Sequence, residues 1–439
     1  MYKINSISVI GLGKLGLCMA TCFAVKGYKV IGIDIDIDKI EKINQGISSI
    51  QETDLDKFLK KSLKNLKATE NYNEAILNTD VSFIVVATPS LADGSFSNEY
   101  LEKSLRKIAE VLKYKNKYHL IVITSTVMPQ TTEKVAKFIL EDISGKKCGR
   151  DFGLCYNPEF IALGSVIHDF LNPDFILIGE MNKRDGDILE NIYKNICENK
   201  PSFARMSPVN AEIAKIALNC YITTKITFAN SVASVCERIK GADANIVLEA
   251  LGKDSRIGAR YLKPGLGYGG PCFPRDNVAF SAFARSLETK AKLAEMVDEV
   301  NKDQIIRVVD KVKEILRKKQ NASIGVLGLS YKPNTPIIED SQAINIVQLL
   351  VNEGYHINVY DPQAMKNASV VLGNRVKYNK NINDCLKNTD LGIILVPWKE
   401  FEDIDFKNLK KNFVLLDCWH IVKNNKNNKI KIKYLGVGE

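Results

Sequence analysis

The chain has 439 residues, 45% hydrophobic and 26% charged, a balance that excludes a mainly disordered protein and suits two nucleotide-sized domains with connecting structure. Sixty-one Lys and Arg against 51 Asp and Glu leave a net charge of +10, but the lysines are spread, as in Lys60, Lys61, Lys64 and Lys67, which argues against nucleic acid as a partner. The N-terminus has no signal core, no apolar run approaches the roughly 20 residues of a membrane span, the ten cysteines form no CxxC pair and the four histidines lie far apart, so a cytoplasmic protein with no metal site, disulfide framework or membrane partner is expected.

In chain order, Ile7 to Ile10 reads as a buried strand, the glycines after it as a turn, Leu17 to Lys26 as a helix, and Lys29 to Ile33 as a second strand ending at Asp34. The alternation continues through a strand at Val81 to Ala87, a helix at Tyr100 to Leu112, a strand at Leu120 to Thr124 and a helix at Thr132 to Leu140. This is how a doubly wound parallel sheet is written. From Asn210 to Ile239 a helical pattern runs without Pro or Gly, with Ile213, Ile216, Ala217, Cys220 and Thr224 as an apolar face. A Gly-rich loop, Pro264 to Pro274, precedes a further helical stretch from Val278 to Arg317. The strand–glycine–helix design then returns in Ser323 to Lys332, Ala343 to Glu353 and HINVYDP, with later strands in LGIILVPW and FVLLDCW. The expected fold is α/β, with two Rossmann-like doubly wound domains joined by a long central helix and the reaction in the cleft between them. Segments 1–200, 201–300 and 301–439 are the expected divisions.

Gly11, Gly13 and Gly16, with Lys14 and Leu15 between them, form G-x-G-x-x-G after a strand and at a helix start, where glycine permits a tight turn and close approach of a pyrophosphate. Asp34 follows Gly16 by 18 residues at the next strand end, where a carboxylate accepts hydrogen bonds from ribose hydroxyls and repels a 2′-phosphate. NAD is therefore the expected cofactor.

Cys272 lies in YGGPCFPRD, with glycines before it, Arg275 near it and Asp276 four residues on. Burial is the ordinary fate of a cysteine, but this loop and its cation suit a nucleophilic thiol. Lys215 and Asn219, spaced i, i+4 on the long helix, could hold an oxyanion from one side; the spacing alone equally describes a solvated lysine and a polar helix position.

In sequence order GLGKLG (11–16), GIDID (32–36) with Lys39, ATPS (87–90), STV (125–127), NPEF (157–160), AEIAKIALN (211–219), DSRIG (254–258), YLKPGLGYGGPCFPRD (261–276), GLSYKPNT (328–335) and VPWKEF (396–401) together resemble the UDP-glucose/GDP-mannose dehydrogenase family over nearly the whole chain. The resemblance implies a two-step oxidation of a nucleotide sugar by two NAD molecules. Cys272 is then the nucleophile, Lys215 and Asn219 stabilise oxyanions, and Asp276, Thr126 and Glu159 position water and relay protons. It implies NAD contacts at Gly11 to Gly16, Asp34, Lys39, Thr88, Thr126 and Arg275. Contacts to the nucleotide-sugar substrate are implied at Glu159, Phe160, Ile161, Lys215, Asn219, Arg256, Tyr261, Leu262, Lys263, Gly265, Gly269 and Lys332. It further implies an NAD-binding first segment, a central segment that carries the cysteine loop and forms a homodimer, and a sugar-nucleotide-binding last segment.

YGGPCFP and VPWKEF resemble the UDP-glucose branch more than the N-acetylhexosamine branch, with GDP-mannose or a UDP-N-acetylhexosamine as the alternative substrate. A catalytically silent nucleotide-binding protein is the competing class, and the retained Cys272, Lys215, Asn219 and Asp276 count against it. The chain also departs from the family pattern. TSTVM (124–128) replaces KSTVP, and Ala162 and Leu163 replace an Arg and a Glu. Glu339 stands where an NAD-contacting Arg is usual, and Trp419 and His420 stand near the place of a late substrate-contacting Arg.

Overall fold

A computed structural model describes residues 4–317, 319, 321–407, 409–423 and 430–438; the outer ends of the expected first and last segments, 1–3 and 439, lie outside the described residues. The chain divides into two compact units, Met1–Ala217 and Leu218–Glu439.

The first unit holds β1 (Ser6–Ile10), β2 (Lys29–Ile33), β3 (Leu66–Thr69), β4 (Val81–Ile84), β5 (Leu120–Ile123), β6 (Gly153–Tyr156), β7 (Phe175–Glu180) and β8 (Ser202–Met206) in one sheet of order β3-β2-β1-β4-β5-β6-β7-β8. β4, β5 and β6 are buried at every residue because helices cover both faces of the sheet, and the one hydroxyl of β4, on Ser82, is paired with Ser8 and His119. The helix Lys14–Val25 is buried from Gly16 to Ala24, and its Phe23 ring packs on Phe83, Tyr28 and Phe170. Burying one such ring contributes about 1.5–3 kcal/mol. The site loops are therefore anchored on a rigid support.

Two details depart from the sequence expectation. β7 runs antiparallel to β6, pairing Cys155 with Glu180 and Tyr156 with Gly179. The connection from β6 spends its length on the helix Val166–Leu171, which packs against the first helix, and the next strand starts from the same sheet edge at which β6 ended. The helix expected from Thr132 opens as a π-helical turn, Thr131–Ala136, before Lys137–Ser144 continues as α-helix. Gln130 before it is left-handed at φ 78°, and the buried Glu212 carboxylate accepts from the Gln130 N–H, the Thr132 N–H at 2.8 Å and the Thr132 hydroxyl at 2.6 Å.

The second unit holds β9 (Ser323–Leu327), β10 (His356–Tyr360), β11 (Lys377–Tyr378), β12 (Leu391–Ile394), β13 (Val414–Asp417) and β14 (Lys431–Tyr434), all parallel, in the order β11-β10-β9-β12-β13-β14. The long helix Pro208–Cys236 begins in the first unit and ends in the second. The single helical stretch expected from Val278 to Arg317 is instead two helices, Phe273–Ser286 and Lys292–Ile315. Glu288 turns left-handed at φ 57° and the Thr289 N–H closes on the Ala284 carbonyl at 3.0 Å, a Schellman-type stop built without glycine and so invisible as a breaker. Among the described residues no helix is long and apolar enough to cross a membrane, and no group of three or more His, Cys, Asp or Glu could hold a metal ion.

Candidate active site

In the first unit the expected cofactor residues gather at the carboxyl edge of the sheet. Gly11 is left-handed at φ 93°, and a Cβ there would lie 2.4 Å from the Val85 carbonyl oxygen; a Cβ on Gly16 would lie 1.9 Å from the Gly11 oxygen. Only glycine fits either place. Gly13 caps the helix Lys14–Val25 with no side-chain hydrogen bond, and Lys14 and Leu15 follow in its first turn, which leaves backbone N–H groups and the positive helix end for an anion.

Asp34, at the end of β2, is buried and accepts from the Leu12 N–H at 2.9 Å, the Asp36 N–H at 3.1 Å and Lys39 Nζ at 3.1 Å. Burial pushes its carboxyl up, but the backbone bonds from Asp36 and Leu12 and the Lys39 ammonium outweigh it and hold the group below its usual range. The residue is thus a fixed carboxylate beside the glycine turn. These features fit NAD: Gly11 to Gly16 would receive its pyrophosphate and Asp34 its ribose hydroxyls.

The loops after β4, β5 and β6 bring further expected residues together. The Thr88 hydroxyl donates to the Thr126 carbonyl at 2.8 Å, and Ser125 ties the same two loops through the Val86 N–H at 2.9 Å. Lys215, which spacing alone could have left on a solvated face, is buried and donates to the Glu159 carbonyl at 2.8 Å, with its ammonium 4.5 Å from the Phe160 ring centroid. Burial pushes the Glu159 carboxyl up to about 7, against the Tyr193 hydrogen bond and the Lys215 charge. Ile161 and Leu163 pack against the core, and the loop carrying Ala162 is held by Glu52, which accepts from the Gly164 and Val166 N–H groups at 2.9 and 3.2 Å. Tyr193, Asn157 and Glu212 were not among the expected site residues; Asn157 was legible within NPEF and Glu212 within AEIAKIALN, whereas nothing in the sequence ties Tyr193 to the loop it holds.

In the second unit Cys272 caps the helix Phe273–Ser286 at its N-terminus, a position at which negative charge is favoured, and of the ten cysteines it is the exposed one. One turn on, the buried Asp276 carboxylate accepts from the Asn219 amide at 2.6 Å, with Arg275 Nε 3.9 Å away. The loop before the cysteine is clamped by close approaches that exclude side chains. A Cβ on Gly269 would lie 2.2 Å from the Asp340 oxygen, and one on Gly265 would lie 2.6 Å from the Trp419 ring. The Gly270 N–H donates to the Glu339 carbonyl at 3.1 Å, which joins the loop to the segment carrying Lys332, whose ammonium lies 5.9 Å from the Tyr331 ring centroid. Leu262 is buried, Lys263 exposed, and Tyr261 exposed in left-handed backbone at φ 61° with its ring edge-on to Phe273.

Arg256 stands apart: its side chain is 87% exposed and its ionic partner is Asp254 at 2.6 Å. The Glu339 side chain is exposed and makes no ion pair among the described residues. His420 is structural, donating through Nε2 to the Leu435 carbonyl at 2.7 Å while Asn245 meets Nδ1 at 2.8 Å.

A dinucleotide turn with an acidic strand end in one unit and a solvent-facing thiol at a helix start in the other define an oxidoreductase that works with nucleotides. Residues 5–197 match the model of the UDP-glucose/GDP-mannose dehydrogenase family's NAD binding domain, 209–303 its central domain and 325–424 its UDP binding domain. The chain belongs to the UDP-glucose/GDP-mannose dehydrogenase family, and NAD is its cofactor. It is 36% identical over 422 residues to the UDP-glucose 6-dehydrogenase TuaD of Bacillus subtilis (strain 168), covering 94% of this chain and 89% of that protein. It is also 36% identical over 359 residues to a GDP-mannose 6-dehydrogenase of Pseudomonas putida (strain KT2440), covering 81% and 80%. The solved structure of a UDP-glucose dehydrogenase from the hyperthermophilic archaeon Pyrobaculum islandicum matches with a TM-score of 0.90 at 34% identity, over 100% of this chain and 98% of that one.

Proposed function

We propose that the chain oxidises the C6 alcohol of UDP-glucose to the carboxylate of UDP-glucuronate. The observation that carries this reading is the exposed Cys272 at a helix N-terminus, one turn from the buried Asp276–Asn219 pair. Gly11, Gly13, Lys14, Leu15, Gly16, Asp34, Lys39, Thr88, Thr126 and Arg275 would hold NAD, which when bound would supply the hydride acceptor for two oxidations. Cys272 Sγ adds to the C6 aldehyde carbon between them, and the thiohemiacetal becomes a thioester when the second hydride leaves. Lys215 and Asn219 supply hydrogen-bond donors to the oxyanions that form at C6. Asp276, Thr126 and Glu159 position water and relay its proton, which a carboxylate of Asp276 or Glu159 accepts; the C–S bond breaks, the thiolate returns and the uronic acid departs. Glu159, Phe160, Ile161, Arg256, the Tyr261 to Gly269 loop and Lys332 hold the nucleotide sugar.

A second reading, GDP-mannose as substrate, is supported by the identity to the Pseudomonas putida enzyme. Incubating the protein with NAD and UDP-glucose, GDP-mannose or a UDP-N-acetylhexosamine, and following NADH absorbance, separates them: two NADH per molecule of UDP-glucose is expected. No NADH with any of them would favour a silent nucleotide-binding protein. Cys272→Ser should lower carboxylate formation by about three orders of magnitude or more with NAD binding retained, and wild-type turnover would remove the thiol from the mechanism.

The protein is further read as a cytoplasmic homodimer of three segments, 1–200, 201–300 and 301–439. Ten free thiols suit a reducing compartment. Tyr221, Phe228 and Val235 are 63%, 51% and 61% exposed at seven-residue spacing on the helix Pro208–Cys236, an apolar stripe suited to a second copy.

A further inference from the structure

Tyr193 is buried near the end of the helix Lys183–Ile196, and its hydroxyl lies 2.6 Å from Asn157 Oδ1 and 2.6 Å from Glu159 Oε1. A phenol carries one proton. If Glu159 is ionised both neighbours are acceptors, and one hydrogen cannot make two bonds this short. Asn157 cannot reverse its amide to donate, because its Nδ2 already donates to the Leu177 carbonyl at 2.9 Å. The assignment that satisfies all three groups is a chain: Glu159 carries a proton and donates to Tyr193, and Tyr193 donates to Asn157.

We infer that Tyr193 is a positioning residue for Glu159, its O–H directed to Asn157 while Glu159 is protonated and turned to Glu159 when that carboxyl ionises. The proton released by Glu159 passes to a water or a substrate oxygen. The Tyr193 O–H rotates about its C–O bond, and Asn157 Oδ1 gives up its donor; reprotonation reverses each move. The titratable groups around Glu159 agree with a carboxyl poised near neutrality. Burial pushes it up to about 7, the Tyr193 hydrogen bond and the Lys215 charge oppose that rise, and the nearby Cys197 thiol, itself pushed up to about 12 by burial and by Glu159, stays neutral. Tyr193 thus sets how readily Glu159 gives up and regains its proton, an inference that rests on the proposed role of Glu159 as proton relay for its use in turnover.

The test reads protonation directly, without substrate. The full-length protein is labelled with 13C at its glutamate carboxyls, the Glu159 resonance is assigned by its loss in Glu159→Gln, and it is titrated across neutral pH by NMR. Tyr193→Phe, which removes only the hydroxyl, should raise the midpoint by about one unit or more, because the ionised carboxylate loses its donor. Asn157→Ala should lower it, because the Tyr193 proton no longer has a competing acceptor. Unmoved midpoints, or shifts in the same direction, would overturn the inference, since a merely structural role gives no such opposition. If Asn157→Ala does not fold, the Tyr193→Phe shift alone decides: upward supports the coupling, and none or downward overturns it. The pH profile of NADH formation is then measured in Tyr193→Phe. An acid limb that moves with the NMR midpoint supports both claims, whereas a moved midpoint with an unmoved limb keeps the coupling and overturns the catalytic role of Glu159.

Discussion

The side-chain amide of Asn219 donates to the Asp276 carboxylate at 2.6 Å, and both groups are buried. The helix Pro208–Cys236 thereby fixes the first turn of the helix that Cys272 caps. Asn219→Ala leaves a buried carboxylate without this donor, a loss of about 1–3 kcal/mol. It also removes a proposed oxyanion donor, for which about a hundredfold or more in kcat is expected. Thermal melting and NADH kinetics check the two effects separately; a variant with lowered stability and unchanged kcat would restrict Asn219 to structure.

Asp34 receives two backbone N–H groups and the Lys39 ammonium. Asp34→Ala should weaken NAD by about tenfold or more while leaving affinity for the sugar nucleotide nearly unchanged, since the proposed partner is the adenosine ribose. Calorimetric titration with each ligand distinguishes this from general loosening, in which both affinities fall.

The Glu159 carboxyl is pushed up from 4.5 to about 7, burial being the main cause. Between those values the folded protein holds a proton that the unfolded chain has released. Folding stability therefore falls as pH rises through this window; the effect is absent below it and fully present above it. Glu159→Gln, which cannot ionise, should flatten this part of the stability profile. Urea unfolding at about pH 5 and about pH 8 provides the comparison, and equal slopes in variant and wild type would show that Glu159 is not the group responsible.

Replacing Tyr221 and Phe228 by Glu puts charge into the apolar stripe on the long helix. Sedimentation at micromolar concentration should show a dimer for the wild type and a monomer for the double variant. A wild-type protein that sediments only as a monomer would remove the proposed interface.

Residues whose chemistry is enforced by short spacing were legible in the sequence. Gly11 and Gly16 are required in the turn after β1 because a Cβ at either would meet the Val85 or the Gly11 carbonyl, whereas a Cβ on Gly13 would meet nothing. The central strands β4 and β5, apolar but for Ser82, were legible because both faces of their sheet are covered. Cys272 was legible as a candidate through its glycines, but its exposure, unlike that of the other nine cysteines, was decided by packing. Tertiary structure alone decided the reversal of β7, the stop at Glu288 and the meeting of Tyr193 with Glu159. Each depends on contacts between side chains or backbone groups that no local periodicity encodes. A residue such as Gly265 shows both sources at once: the sequence marks a flexible position, and the Trp419 ring, 154 residues further along the chain, requires it.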